Sequence, residues 1–429
     1  MNAEVRAIKT PAEQALADTY AKAKGKLPGG GAVAALRDAA FRQFDVQGLP
    51  HRRVEEWKYT DLRALIREAL PLASAPDATA KAKAAAVAEQ YAVLNCRRII
   101  FVDGVFAPDL SDLSPEPGLT ISSLADSLAV SGGADLFETK DPLVALNTAL
   151  MSDGAVIAVK AGTQVARPVL LLFVGTQRAS VFARSYVLLE KGARLQLIEV
   201  HEAVESQTNS ALELDVADDA QIDHVKITHA QGLHVGTLMA TIGAKATFNT
   251  FAFTSNSALV RNQTFLRFDG DNTDAAIGGV SLLKDKQHVD STLIIQHFGR
   301  GCTSRERFRS VLDGQSRAVF QGKIIVEPGA QKTDAKMLSN ALLLSDDAEA
   351  DNKPELEIFA DDVQCGHGAT AGALDQDLLF YLRARGIPEQ EAEALLIQAF
   401  IGEVIDMIAQ DKVRAPLMDA AVEWLRSRA

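Results

Sequence analysis

The sequence predicts a mainly β protein with helical ends, its middle a solenoid of stacked short strands, a β-helix. Three observations lead there. From about residue 155, short runs of Val, Ile, Leu, Phe and Thr alternate with Gly, Asp and Ala turns for about two hundred residues, and helical periodicity nearly disappears. Within that stretch an apolar residue repeatedly leads into a small or charged turn and on into another strand. The segments are LEKGARL from Leu189, VADDAQI from Val216, IGAKATF from Ile242 and FDGDNTD from Phe268, spaced by about 26 residues. A steady step of that length marks a repeat architecture, in which coils of strand bury a continuous interior while each touches only its neighbours. The third observation is a helical pattern on either side of this stretch. A sandwich or jelly roll also produces many short strands and stays open as the alternative.

The 429 residues divide by pattern into an N-terminal helical region with a linker (1–96), a hairpin and short helix leading into the core (97–150), the β core (151–370) and a C-terminal helical domain (371–429). Over residues 11–70, apolar positions recur at three and four. Gly29 to Gly31 precede a helix but lack the strand and the Lys-Ser or Lys-Thr pair of a phosphate loop, so the chain is not expected to hydrolyse ATP by itself. The segment HRRVEEWKYTDLR, residues 51–63, reads as a surface helix docking Trp57 and Tyr59 onto the body. Residues 71–90, rich in Ala, Lys and Asp, read as a linker or a loosely held helix. RRIIFVDGVFAPDLS, residues 97–111, reads as a hairpin about Asp103 and Gly104, and DPLVALNTAL, residues 141–150, as a short helix.

Past residue 374, helices break at Gly386 and resume at Pro388, with Glu389 and Glu391 beside the positive helix end. Leu395, Leu396, Ala399, Phe400, Val404 and Ile408 fall on one apolar stripe, and a last helix surrounds Trp424.

A net charge of -12 argues against a nucleic-acid or anionic-membrane partner, which would have to be bound against the overall field. The start of the chain lacks the apolar run of a signal peptide and no stretch approaches a membrane span, so a cytoplasmic location is expected. Three separated cysteines, Cys96, Cys302 and Cys365, form no disulfide framework and agree with a reducing compartment. Cys96 reads as a structural thiol.

The chemistry concentrates in DDVQCGHGAT, residues 361–370. On an extended strand Cys365 and His367 project from one face, with Gly366 and Gly368 letting backbone come close and Asp361 and Asp362 available as outer acceptors. That makes half a metal site. Iron or zinc requires further ligands, from elsewhere in the fold or from another chain. The competing reading is a buried thiol and a hydrogen-bonded histidine closing a turn.

Several runs resemble the SufB/SufD family of iron–sulfur cluster assembly proteins, and within it the SufD branch. They are RFRSVLDGQSRAVFQGKIIVEPGAQKTDAKMLSNALLLS (307–345), PELEIFADDVQCGHGAT (354–370), LFYLRARGI (379–387) and, near the start, EEWKYTDL (55–62). The likeness spans nearly the whole chain, strong after residue 300 and diffuse in the middle. It implies a right-handed parallel β-helix flanked by helical regions. It also implies a cytoplasmic complex with SufB and the ABC-type ATPase SufC, the latter docked on the C-terminal helices around Leu379, Phe380, Leu382, Leu395 and Phe400. Cys365 and His367 match the family's ligand motif near the SufB contact, where transient iron or a nascent cluster is shared. No tightly bound cofactor is expected in the isolated chain and no catalytic residue is assigned. Reduced flavin bound through the complex is left open, although no flavin fingerprint is present, and so is a homodimer of the chain alone. Three cysteines are few for a primary cluster scaffold, which favours the SufD branch over SufB.

Two rival classes are a β-helix carbohydrate-active enzyme and a plain scaffold without a metal role. For the enzyme, Asp269, Asp271 and Asp274 form an acidic turn, but Asp, Asn and Gly at close spacing are ordinary turn residues. His224, His229 and His234, five apart, place neighbours on opposite strand faces and are not expected to form one ligand set. His288 and His297 read as isolated, and residues 300–309 as an arginine-rich rim.

Overall fold

A computed structural model describes residues 9–130 and 139–427. The centre is a parallel β-solenoid of about seven turns, the right-handed β-helix expected from the resemblance. Its strands alternate between two sheets, one of ten strands and one of nine, so each coil contributes one strand to either sheet. Register is continuous along the stack: Leu189, Val216, Ile242 and Phe268 are direct partners in successive coils. The four residues that define the sequence repeat therefore form one buried column.

That column continues beyond the last repeat legible in the sequence, through His297, Val326 and Ile358. The later coils are longer by a few residues, and a histidine takes the apolar place. Its ring stacks on Phe268 at 4.4 Å between centroids, so the imidazole serves as an aromatic surface.

The turns explain how the coils stay in step. Gly162, Gly192, Asp219, Lys245, Asn272, Gly301 and Lys332 occupy equivalent turn positions, all with φ between 57° and 70°. This left-handed conformation aims the backbone N–H along the stack, where the next coil's turn accepts it. Gly192 donates to the Asp218 carbonyl at 2.9 Å, Asp219 to Ala244 at 2.8 Å, Lys245 to Asp271 at 2.8 Å and Asn272 to Arg300 at 2.8 Å. Gly, Asn and Asp tolerate this conformation best, which accounts for the turn composition that first exposed the repeat.

Helices cover the outer faces of both sheets. The N-terminal helices Pro11–Ala23 and Ala32–Gln47 and the wholly buried Pro142–Leu150 pack around Phe182 and Val235 of the nine-stranded sheet. A capping box between Thr10 and Glu13 starts the first helix, and Glu13 also accepts from the Leu49 amide at 2.9 Å. Residues 55–57 form a single 3-10 turn where the sequence suggested a surface helix. Trp57 is buried as expected, with the Arg261 guanidinium 3.7 Å from its ring centroid, and Tyr59 is half-buried. Arg261, itself paired with Asp290, donates to the Glu56 carbonyl at 2.7 Å, clasping the segment to the sheet.

Two further expectations are corrected. Ala78–Gln90 is a firm helix capped by Asp77, with Ala80, Ala84 and Ala88 buried against the ten-stranded sheet. A stripe of alanines gives little hydropathy contrast, which is why it read as a linker or a loosely held helix. The hairpin about Asp103 and Gly104 forms, but its first strand, Arg97–Val102, pairs in parallel with Val169–Gly175. It belongs to the core sheet rather than leading into it.

The same outer face carries the C-terminal helices Glu389–Ile405 and Asp411–Arg426. Their buried positions include Ile397, Ile401, Val404, Ile405 and Trp424, and Ile408 in the connection between them is buried too. The stripe read from the sequence was out of phase at its start, since Leu395 and Ala399 are exposed. Among the described residues no helix is long and apolar enough to cross a membrane.

Gly192 provides a clean test of the turn. A Cβ there meets nothing closer than Gly162 at 4.0 Å, so Gly192→Ala changes backbone strain and little else. The variant is expected to lose about 1–2 kcal/mol of unfolding free energy, read by urea denaturation.

Candidate functional site: the open end of the solenoid

The last coil consists of Glu349–Ile358 and Gln364–Gly372, each the terminal strand of its sheet. One edge of each pairs with the coil before it, while the other has no strand neighbour among the described residues. Every earlier coil is enclosed on both sides; this one leaves outward backbone groups and the end of the lumen uncovered. Ile358 is 40% exposed, Phe359 59% and, one coil below, Leu338 45%. Long exposed edges with apolar side chains are templates for pairing with another chain.

Cys365 and His367 stand on this terminal strand, two apart. Cys365 is half-buried and packs against the end of the core cluster, while His367 is exposed. Burial raises the Cys365 thiol above its usual range, an amide hydrogen bond involving Ala335 opposes that, and the charges of Asp334 and Glu306 add to the rise. The free thiol therefore carries its proton at neutral pH. Asp362 is not an outer acceptor for the pair: it forms an ion pair with Lys332, and its amide donates to Gln331. Among the described residues, no group of three or more His, Cys, Asp and Glu side chains converges as a metal site.

Comparison with known proteins bears directly on this arrangement. The family description "SUF system FeS cluster assembly, SufBD core domain" matches residues 172–400, and "SufBD protein N-terminal region" matches residues 11–171. The chain belongs to the SufBD family. It is 30% identical to the iron–sulfur cluster assembly protein SufD of Escherichia coli over 381 residues, covering 86% of this chain and 88% of that protein. A SufBD family assembly protein of Synechocystis is also 30% identical, over 84% of each chain. The SufD of Bacillus subtilis is 25% identical over 89% of this chain and 92% of its own length. Within the SufBD family this chain is a SufD homologue.

In this SufBD chain the remaining residues singled out by sequence sort into surface and interior. On the helix Gln376–Ala384, Phe380 is 74% exposed, beside exposed Leu378 and Tyr381. Leu382 is half-buried, and Leu395 on the next helix is 43% exposed. Leu379 is buried, so it anchors its helix and offers no surface. Phe400 is half-buried beneath the Arg309 guanidinium, 4.4 Å from the ring centroid, and Arg309 pairs with Glu403. The acidic turn has local partners: Asp269 pairs with Arg267, Asp271 accepts from the Arg300 amide at 2.7 Å, and Asp274 bonds the Thr303 hydroxyl. Such carboxylates close coils.

Two interior features escaped sequence reasoning. The first joins Glu199, His201, His224, Lys226 and His234 inside the lumen. Glu199 bonds His201, and His224 Nε2 lies 3.4 Å from it. The His201 and His234 ring centroids are 4.5 Å apart, and His224 Nδ1 meets the Thr250 hydroxyl at 3.0 Å. Burial opposes charge on Glu199, but His201, His224 and Lys226 bring it well below the usual carboxylate range. Burial lowers His201 and His234, and it also lowers Lys226. Glu199 is thus the buried anion of the cluster, and burial works against charge on His201, Lys226 and His234 around it. Gly236 makes the room, since a Cβ there would lie 1.8 Å from Lys226 Nζ. His224 reaches Glu199 and His234 reaches His201 from different strands, which spacing along one strand could not reveal.

The second feature is Glu306, fully buried on the strand Thr303–Leu312. Alternation could have found it: in SRERFRS, Glu306 shares parity with inward Ser304 and Phe308, while Arg305, Arg307 and Arg309 point outward. His288, which read as isolated, lies 3.0 Å from the Thr60 hydroxyl.

Buried His297 provides a pH test. Burial pushes its folded-state pKa down to about 4, so between about 6.5 and 4 the unfolded chain binds a proton that the folded chain refuses. Wild-type stability is lost through this group as pH falls across that window. His297→Phe, which keeps the stack on Phe268, is expected to gain on wild type by about 3 kcal/mol from pH 7 to pH 4 in chemical denaturation.

Proposed function

We propose that this chain is a non-catalytic subunit of a cytoplasmic iron–sulfur cluster assembly complex, joined to a SufB-type β-helix protein at the open end of its solenoid. The observation that carries this reading is the uncovered last coil with a thiol and an imidazole on one face of its terminal strand. A second β-helix stacked there satisfies the outward edges and supplies the ligands that Cys365 and His367 lack. Iron or a nascent cluster is transient cargo at this seam, and the chain alone holds no tightly bound cofactor. The exposed apolar side chains Leu378, Phe380, Tyr381 and Leu395 supply a docking face for a SufC-type ATPase. Nucleotide-driven movement of the ATPase, passed through the C-terminal helices, shifts the seam and admits metal or sulfide. Thiolate and neutral imidazole are the binding forms, so occupancy falls as pH drops.

Purification of the assembled complex tests the pair. Cys365→Ala and His367→Ala are each expected to lower iron content and cluster yield severalfold with subunit stoichiometry unchanged; values equal to wild type assign the pair a structural role. Phe380→Asp, at a solvent-facing position, is expected to lose the ATPase from the complex while the second β-helix protein still co-purifies. Retention of the ATPase moves the docking face elsewhere.

A further inference from the structure

Among the described residues, Glu306 alone combines complete burial of a carboxylate with the lack of a hydrogen-bond partner at both oxygens. Buried polar groups are nearly always partnered, and an unpartnered carboxyl calls for a physical reason. Its location provides one. Register runs from Ile277 to Glu306 to Met337 to His367, and from Ser304 to Ala335 to Cys365 in the neighbouring inward column. Glu306 therefore lies two coils beneath the Cys-His pair, about 10 Å of stack spacing away. It is not in contact with the pair, because one coil intervenes. Met337 and Ala335, both fully buried, fill that coil and introduce no ion of their own.

The groups around the carboxyl do not neutralise it. Ser304, on the same strand, engages His297 from the facing sheet at 3.2 Å, and that imidazole is neutral. Arg305 turns outward to Asp334 at 2.6 Å. Cys302 is a buried thiol whose sulfur donates to the Gly270 carbonyl at 3.2 Å. Burial raises the Glu306 carboxyl to about 7, against small opposing pulls from Ser304, its own backbone and Arg305.

We propose that Glu306 is the buried counter-charge of the Cys365–His367 site, protonated while the rim is empty and ionised when a divalent cation is held there. The inference rests on the metal reading of that pair given above. Where both groups start protonated, the balance is simple: a divalent cation, the Cys365 thiol and the Glu306 acid give a thiolate-bound cation, a carboxylate and two protons released to solvent. No electrons move. Through a low-dielectric interior such a charge is felt across this distance without touching the cation. Glu306 is thus a positioning residue for charge and not a ligand.

The test uses the assembled complex under anaerobic conditions, titrated with Co(II), whose thiolate charge-transfer band reports binding at Cys365. Wild type is compared with Glu306→Gln, Glu306→Met and the Cys365→Ala/His367→Ala double variant. Between pH 6 and 7, wild type is expected to release more protons per bound Co(II) than either Glu306 variant, the difference vanishing at pH 8. The affinity advantage of wild type is expected to be about tenfold at pH 8 and to shrink below pH 6. Thermal unfolding of the Gln and Met variants verifies that the fold persists. Equal proton release and equal affinity across this range, with the band present, overturn the role of Glu306 alone. Absence of the band from wild type overturns the metal reading and this inference with it, and the two failures are told apart by the wild-type spectrum.

Discussion

The structure depends on one constraint: each coil of the solenoid satisfies its backbone through its neighbours. Strand amides pair with the strands above and below, and the left-handed turn residues send their N–H groups along the same axis. Such a stack has no natural stopping point. It must be closed by something, because an unpaired end exposes both backbone groups and the cut face of the core. The first coil is closed within the chain, where Val105–Phe106 folds back on Arg97–Val102 and Leu119–Ser123 lies antiparallel to Ala155–Val159. The last coil has no such closure among the described residues, and the two side chains with metal chemistry stand on it.

The interior extends the argument from backbone to charge. Toward the repeated turns the lumen is filled by Leu, Val, Ile and Phe, as a coil stack requires, while its other side accommodates Glu199, Lys226 and several imidazoles. Burial penalises each charge, and Glu199 stays well below the usual carboxylate range because His201, His224 and Lys226 surround it. Glu306 is the exception that faces no cation. The carboxyl with least compensation lies on the inward column that ends in His367, beside the column that ends in Cys365.

Much of the fold could be read from residues because solenoid physics is local. The turns at Leu189, Val216, Ile242 and Phe268 repeat since each must present a small or left-handed residue at the same place, and that regularity survives without sequence identity between coils. Reading failed where the signal is not local or not hydropathic. The later coils lengthened and placed His297 in the apolar column, so the period faded. The alanine stripe of Ala78–Gln90 has no polar contrast to betray its buried face. The lumen cluster gathers His201, His224 and His234 from three strands, and only coil register brings them together. The Cys365–His367 pair was legible because it lies on one strand, whereas Glu306, its neighbour through space, is separated from it by nearly sixty residues.

The central claim is that a second chain closes the last coil and that the Cys-His pair lies at that seam. Hydrogen exchange on the assembled complex tests this most directly, reading the outward-pointing amides of residues 349–358 and 364–372. Protection there is expected to be comparable to that of amides inside the stack, with the peptide containing Cys365 and His367 among the slowest to exchange. Exchange at the rate of the exposed turns, in a complex that is otherwise intact, would contradict it.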